Sequence, residues 1–178
     1  MMRIRNIKNK IALTLTLGVT VFLISCENKK EEGVVAPEGM HVLDLTKYGK
    51  PFAIFVPDTV AAKLSITEQS SGALDIMVGK NFALSINEQA ADLELIKSDV
   101  KGDEVNKLAS FITEEPSALL WESAITEPEF HFVINQKVGG ADYSFEDIRN
   151  LGEKGFSKQA IQKMFDSAKN IKEIKKVQ

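Results

Sequence analysis

Alternation of apolar and polar residues is clearest in residues 73–87, the stretch ALDIMVGKNFALSIN. Apolar side chains occupy every second position on both sides of Gly79-Lys80, which is typical of strands with one buried face. A glycine-containing pair between two such runs favours a tight turn. We therefore predict a β-hairpin over these residues.

Other runs along the chain also have strand character. Residues 51–56 are a short apolar run closed by a proline, and Gly139-Gly140 suits a hairpin turn because glycine tolerates positive φ. The strands predicted outside the first hairpin are 51–56, 63–68, 118–123, 129–138 and 141–148.

Spacings of three and four residues predict two helices. The first covers residues 88–101, with Asn87 as its N-cap and acidic residues in its first turn. The second begins after its N-cap Ser157 and is amphipathic. Its apolar stripe consists of Ile161, Met164, Phe165, Ala168 and Ile171.

Residues 104–113 fit two interpretations. Val105, Leu108 and Phe111 have helical spacing, whereas Phe111-Ile112-Thr113 favours a strand, and we prefer the strand. About seven to eight strands then fall into two blocks, with one helix after each block. This order predicts an α+β fold in which helices pack on an antiparallel sheet.

The first 25 residues have the layout of a secretory signal. Residues 1–10 contain four cations and no acid, and residues 11–24 are an uncharged apolar run. A run of this length is too short for a stable transmembrane helix, which needs about 20 residues. We therefore expect a signal peptide over residues 1–25.

The residues at the end of the apolar run, Leu23-Ile24-Ser25-Cys26, resemble the lipobox of bacterial lipoproteins. The resemblance implies that diacylglycerol alkylates the Cys26 thiol, that the leader is cleaved before this residue, and that its new amine is acylated. Several acyl chains on one residue give stable membrane anchoring. No other cofactor is expected.

A polar segment with glycine and proline breakers follows the lipobox, and residues 26–40 are predicted to be the lipidated cysteine and a flexible tether. Residues 41–178 are predicted to form a single α+β domain. Glu27 differs from the aspartate that commonly retains lipoproteins in the inner membrane, so the resemblance implies the outer membrane. Lys30-Glu31-Glu32 is similar to surface-export signals of Bacteroidetes-like bacteria, and the periplasmic and surface faces both stay open.

Charge and cysteine content exclude several functions. The chain has 22 basic and 25 acidic residues, and four of the basic ones lie in the leader, so the mature protein has a formal charge of −7. An acidic protein of this kind is not expected to bind nucleic acid. The single cysteine excludes an intramolecular disulfide and a cysteine metal cluster.

Glu129 and His131 are two residues apart on a predicted strand, so their side chains should point the same way and are able to share a proton or a metal ion. The alternative is an exposed strand face, and with His41 as the second histidine no histidine-rich metal site is expected. Acidic residues also cluster nearby without a calcium-loop pattern, at Glu114, Glu115, Glu122, Glu127 and Glu129.

The C-terminal 22 residues have a net charge of +4 and are a candidate contact with anionic lipid or an acidic envelope protein. The alternative is a helix that packs on the sheet while its lysines face water. The candidate binding residues here are Lys169, Lys172 and Lys175.

Trp121, with Tyr143 on a neighbouring predicted strand, is a candidate aromatic binding platform, with burial in the core as the alternative. No catalytic or nucleotide motif stands out. The leading hypothesis is a non-enzymatic, lipid-anchored binding domain of the cell envelope. The alternatives are a small envelope hydrolase that uses carboxylates such as Glu122 or Glu129, and a chaperone with an open apolar sheet face.

Overall fold

A computed structural model describes residues 35–58, 60, 62–124, 126–148 and 155–174. They form ten strands and two α-helices, with a short 3₁₀ turn at Thr46–Tyr48. In chain order the elements are β1 (Met40–Asp44), β2 (Phe52–Pro57), β3 (Leu64–Glu68), β4 (Leu74–Val78), β5 (Phe82–Asn87), α1 (Leu93–Gly102), β6 (Lys107–Glu115), β7 (Ala118–Ala124), β8 (Pro128–Val138), β9 (Ala141–Asp147), α2 (Lys158–Lys169) and β10 (Lys172–Glu173).

The strands form two antiparallel sheets. The large sheet has seven strands in the order β3-β4-β5-β9-β8-β7-β6, and the small sheet has three in the order β1-β2-β10. The predicted α+β class, with a helix after each block of strands, is confirmed. The pairing of β5 with β9 joins the two blocks into one sheet.

The hairpin predicted over residues 73–87 is present as β4 and β5. Ile76 lies opposite Leu84 and Leu74 opposite Ile86, and all four side chains are buried on one face. The turn passes through Gly79, whose φ of 58° is a conformation that other residues rarely adopt. The apolar alternation of the sequence therefore set the register of this pair.

The first helix begins five residues later than predicted. Asn87 is the last residue of β5, and the N-cap is Asp92, whose carboxylate accepts a hydrogen bond from the N–H of Leu95 at 3.0 Å. The intervening segment bends at residues 88 and 89, and the backbone of Ala91 exchanges two 2.9 Å hydrogen bonds with the Asn135 side chain. These tertiary contacts keep residues 88–91 out of the helix.

Residues 107–115 form a strand, as preferred over the helical alternative. The register of β6 against β7 shifts twice, between Leu108 and Ser110 and between Phe111 and Thr113. At each shift β6 has one extra residue. The side chains that follow it therefore point to the opposite face of the sheet from the one that strict alternation predicts. This explains the mixed spacing of apolar residues in this stretch.

The ends of the predicted domain differ in detail. Met40, which the sequence predicts to belong to the tether, is the first residue of β1. Ser157 is the N-cap of α2 as predicted, but the helix ends at Lys169, and Ile171 lies beyond it in the segment that leads to β10. Met40, predicted in the tether, and Lys172 and Glu173, predicted in the second helix, therefore pair with β2 as parts of strands.

The main hydrophobic core lies on one face of the large sheet, which we call the core face and which carries Leu120, Phe132 and Phe145. The small sheet and α2 cover it. The Phe165 ring of α2 meets Phe132 edge-on at 5.9 Å, and Phe52 of β2 contacts Phe145 at 5.7 Å. Among the described residues, no helix is long and apolar enough to cross a membrane.

The opposite face of the large sheet carries a second, smaller cluster. Leu93 of α1 packs with Leu119, Trp121 and Val133, so α1 covers the part of this face formed by β6, β7 and β8. An ion pair between Lys97 of α1 and Glu114 of β6 joins these two elements. The rest of the opposite face, over β4, β5 and β9, includes the polar side chains of Asp75, Ser85 and Glu146.

Candidate functional site

A polar cleft of about 450 Å³ lies over β4, β5 and β9 on the opposite face, beside the part that α1 covers. Its lining is mostly polar and includes three carboxylates. The residues are Gln69, Ser71, Ala73, Asp75, Ser85, Asn87, Glu146, Asp147 and Ile148.

The register of the sheet brings these side chains together. Asp75 lies opposite Ser85, and Ser85 lies opposite Glu146, so the three occupy one row across β4, β5 and β9. Each alternates with a buried residue of the core face, which fixes its direction. An acidic and hydroxyl-bearing row is therefore a direct consequence of the burial of Leu84 and Phe145 on the other side.

Hydrogen bonds hold the carboxylates of the cleft in defined positions. Ser85 Oγ donates to one oxygen of Asp75 at 2.7 Å, and Gln69 Nε2 donates to the other at 2.6 Å. Asn87 Nδ2 donates to Glu146 Oε1 at 3.2 Å. The Glu146 side chain is exposed and keeps free acceptor capacity for a ligand that donates hydrogen bonds or carries positive charge.

Asp147, at the end of β9, connects the cleft with the predicted Glu129 and His131 pair. Its buried carboxylate accepts the backbone N–H of Phe132 and the Nδ1–H of His131, both at 2.8 Å. Because a carboxylate only accepts, the proton of this contact lies on Nδ1. The orientation of the imidazole is thereby fixed.

Glu129 and His131 lie on the same face of β8, and Glu129 Oε2 is 3.7 Å from His131 Nε2. The indole of Trp121 covers the imidazole with its ring centre 5.6 Å away. In the described part of the chain, no group of three or more histidine, cysteine, aspartate or glutamate residues is placed to bind a metal ion. His41 lies in β1 of the small sheet, on the other side of the large sheet.

Trp121 and Tyr143 do not form a common platform, because they lie on opposite faces of the large sheet. Each is only 4% exposed. Trp121 packs beneath α1, whereas the Tyr143 ring contacts Phe52 edge-on at 5.0 Å in the main core. Burial raises the pKa of the Tyr143 hydroxyl, with a smaller contribution from the negative charge of Glu88.

The clustered acids of the sequence are dispersed in space. Glu115 accepts from Lys169, and Glu114 pairs with Lys97 on α1. The hydrogen bond from Lys97 lowers the pKa of the Glu114 carboxyl, and the same bond raises the pKa of Lys97. Glu122 belongs to the core-face side of β7, whereas Glu129 is on the opposite face of β8.

The candidate lysines have different environments. Lys169 Nζ contacts both carboxylate oxygens of Glu115, at 2.8 and 2.9 Å. Lys172 belongs to β10 rather than to a helix, and it lines a groove together with Lys163 of α2. Lys175 lies outside the described residues, as do the lipobox residues Leu23, Ile24 and Ser25 and the lipidation site Cys26.

Sequence reasoning missed the residues of the polar cleft. Asp75 and Ser85 were visible as the polar positions of the first hairpin, and this alternation was the one available signal. Glu146 and Asp147 join them only because β9 pairs with β5, a contact between residues about 60 positions apart. No local pattern encodes that pairing.

Comparison with known proteins gives no further assignment. No protein-family model matches the sequence, no curated protein is similar to it, and no solved structure matches its fold.

Proposed function

We propose that this protein is a lipid-anchored, non-enzymatic binding protein of the bacterial cell envelope, which uses the polar cleft to bind a partner. The anchor is proposed from the lipobox at Leu23 to Cys26. The outer membrane is the favoured location. The observation that supports the binding role is the ordered row of Asp75, Ser85 and Glu146 on the part of the sheet that α1 leaves uncovered.

The chemistry of the cleft favours a cationic, hydrogen-bond-donating partner group, such as a lysine or arginine side chain of an envelope protein. Asp75 and Glu146 supply negative charge, and their positions are fixed before binding by neighbouring donors. Preorganised polar groups of this kind reduce the entropy cost of association. Charge complementarity also accelerates encounter and selects among partners.

The two alternative functions receive less support. A hydrolase that uses Glu122 and Glu129 needs both acids to converge on one bond, whereas these two side chains point to opposite faces of the sheet. A chaperone needs an open apolar surface, but the open cleft is lined mainly by polar side chains.

The anchor is tested by Cys26→Ser in the producing bacterium. Since lipidation requires the thiol, we expect the variant to incorporate no radiolabelled palmitate and to accumulate as uncleaved precursor. Ser25→Ala, which keeps a small residue before the cysteine, is the matched control and should be processed normally. Palmitate labelling of the Cys26→Ser protein would contradict the anchor.

The binding role is tested by crosslinking in intact cells. A photoreactive residue at Ser71, which lines the cleft, is expected to give a discrete crosslinked product. Glu146→Lys should abolish that product because it reverses the charge of the cleft. Asp142→Lys, on the same strand and outside the cleft lining, is the control. Equal crosslinking in both variants would refute the role of the cleft.

A further inference from the structure

We propose that the side of the domain where the tether joins it is a membrane-docking surface, which binds the anionic phospholipid headgroups of the anchoring leaflet. This inference rests on the proposed lipid anchor. The docking surface consists of two adjoining grooves that share Lys163 of α2. The cations among its described residues are Lys80, Lys163 and Lys172.

The first groove has a volume of about 460 Å³ and lies between α2, β2 and the first described residues of the chain. Val35, Pro37, Met40 and Phe55 give it an apolar lining. Val35 is 89% exposed, so its apolar side chain is accessible to a membrane surface. Apolar side chains beside lysines are the combination that an interfacial membrane contact uses.

The second groove, of about 300 Å³, continues the docking surface past the other side of Lys163. Lys80, in the turn between β4 and β5, adds a further cation, and none of the described residues that line this groove has a carboxylate. The first groove contains Glu38 and Asp166, so among the described residues that line the two grooves the cations outnumber the acids by three to two. The described lining thus has a net charge of +1, whereas the mature protein has a net charge of −7.

Packing explains which lysines of α2 are available. The apolar stripe of α2 packs into the core through Ile161, Met164, Phe165 and Ala168. Lys163 therefore lies on the side of the helix that faces the groove. Lys169 is withdrawn from this surface because it pairs with Glu115 of β6. The docking surface is therefore more restricted than the basic C-terminal segment as a whole.

The tether places this surface close to the bilayer. Val35 is nine positions after Cys26, and a fully extended chain over nine positions spans at most about 30 Å. Covalent attachment makes headgroup binding effectively intramolecular, so weak individual contacts are populated. Anionic leaflets attract lysines within about a Debye length, and this attraction weakens with salt.

Docking would also orient the candidate site. The tether end and α2 lie on the core-face side of the large sheet, whereas the polar cleft lies on its opposite face. With the docking surface on the headgroups, the acidic cleft points away from the like-charged bilayer and towards a partner. The two surfaces thus divide attachment and recognition between the two sides of one sheet.

The test uses the mature lipidated protein in vesicles of phosphatidylcholine, alone or mixed with phosphatidylglycerol. Since Cys26 is the only cysteine and lipidation consumes its thiol, one engineered cysteine gives a unique labelling site. A fluorophore is placed at Gln159→Cys, in the docking surface, or at Thr67→Cys, on β3. Energy transfer to an acceptor on the lipid headgroups reports the distance of each label from the bilayer.

We expect stronger transfer from position 159 than from position 67 on anionic vesicles, and we expect added salt to reduce the difference. The double variant Lys163→Glu and Lys172→Glu should lower transfer from position 159 to its value on neutral vesicles. Lys107→Glu with Lys137→Glu, on exposed strand positions, is the matched control and should leave it unchanged. If energy transfer from position 159 changed neither with added salt nor in the Lys163→Glu and Lys172→Glu variant, the proposed docking surface would be wrong.

Flotation of the same vesicles separates this outcome from a failure of the anchor. Protein that floats with both vesicle types but shows no preferred orientation contradicts the docking surface alone. Protein that does not float with either type contradicts the lipid anchor, and with it the orientation that depends on the anchor.

Discussion

Asp147 ends β9, and its side chain supplies a hydrogen bond that the backbone of a longer strand would supply. The carboxylate is 3% exposed and accepts from Phe132 N–H and His131 Nδ1–H. Asp147→Ala leaves a buried N–H without its acceptor, which costs about 2 kcal/mol. We expect a lower urea midpoint for unfolding of the mature protein, with an unchanged m-value.

Asp142→Ala is the control for this residue. Asp142 lies on the same strand, but its 3.5 Å contact with Lys137 is exposed, and such pairs contribute little. Its urea midpoint should stay close to that of the unmodified protein. If both alanine variants lowered the urea midpoint equally, the proposed contribution of the Asp147 carboxylate as a buried hydrogen-bond acceptor would be wrong.

At the residue scale, the sequence relates neighbours along a strand better than neighbours across a sheet. Alternation correctly places Glu129 and His131 on one face of β8. It says nothing about Asp147, which reaches His131 only through the β8–β9 pairing. The faces of Trp121 and Tyr143 are likewise related only by the register of three strands, which no local pattern fixes.

The helix α1 is short and depends on its packing, because helices of ten residues are marginal on their own. Leu93 is its buried residue and sits over Trp121. Leu93→Ala should cost about 2 kcal/mol and make Trp121 more accessible. Since Trp121 is the only tryptophan, its fluorescence should shift to the red and be quenched more strongly by acrylamide.

Leu95→Ala provides the same substitution two residues further along α1. Leu95 is 57% exposed, so its truncation removes little buried surface. We expect the emission of Trp121 in this variant to match the unmodified protein. A red shift of equal size in both variants would show that helix propensity, rather than the packing of Leu93, governs the cover over Trp121.

At the element scale, the predictions succeeded where local signals were consistent. Ser157 begins α2 as expected, and its hydroxyl accepts the N–H of Ala160 at 3.3 Å. The start of α1 was wrong because Asn87 continues β5, and its cap-like side chain binds Glu146 instead. The strand β10 has only two residues, too few for any periodicity, and forms because β2 offers it an edge.

At the scale of the whole molecule, β8 contacts both helices from its two faces. Asn135, on the opposite face, makes two hydrogen bonds with the backbone of Ala91, just before α1. Gln136, on the core face, donates to the carbonyls of Ala168 and Lys169 at the end of α2. Adjacent residues of one strand therefore fix elements on opposite sides of the sheet.

The two sides differ in their cores, and this predicts a hierarchy of local unfolding. In the described part of the chain, the opposite face has four clustered buried residues around α1, whereas the core face carries a much larger cluster that includes α2. Amide hydrogen exchange should therefore show α1 opening at a lower free energy than β4, β5 and α2.

The neighbouring residues Asn135 and Gln136 test whether the faces act independently. Asn135→Ala removes both bonds to Ala91, each worth about 1 kcal/mol, and should accelerate exchange in α1 while β4 and β5 keep their rates. Gln136→Ala should accelerate exchange at the C-terminal turn of α2 and leave α1 unchanged. If either variant accelerated amide exchange equally in both helices, the two faces of the sheet would not act independently. Detachment of α1 would then be part of global unfolding rather than a separate event.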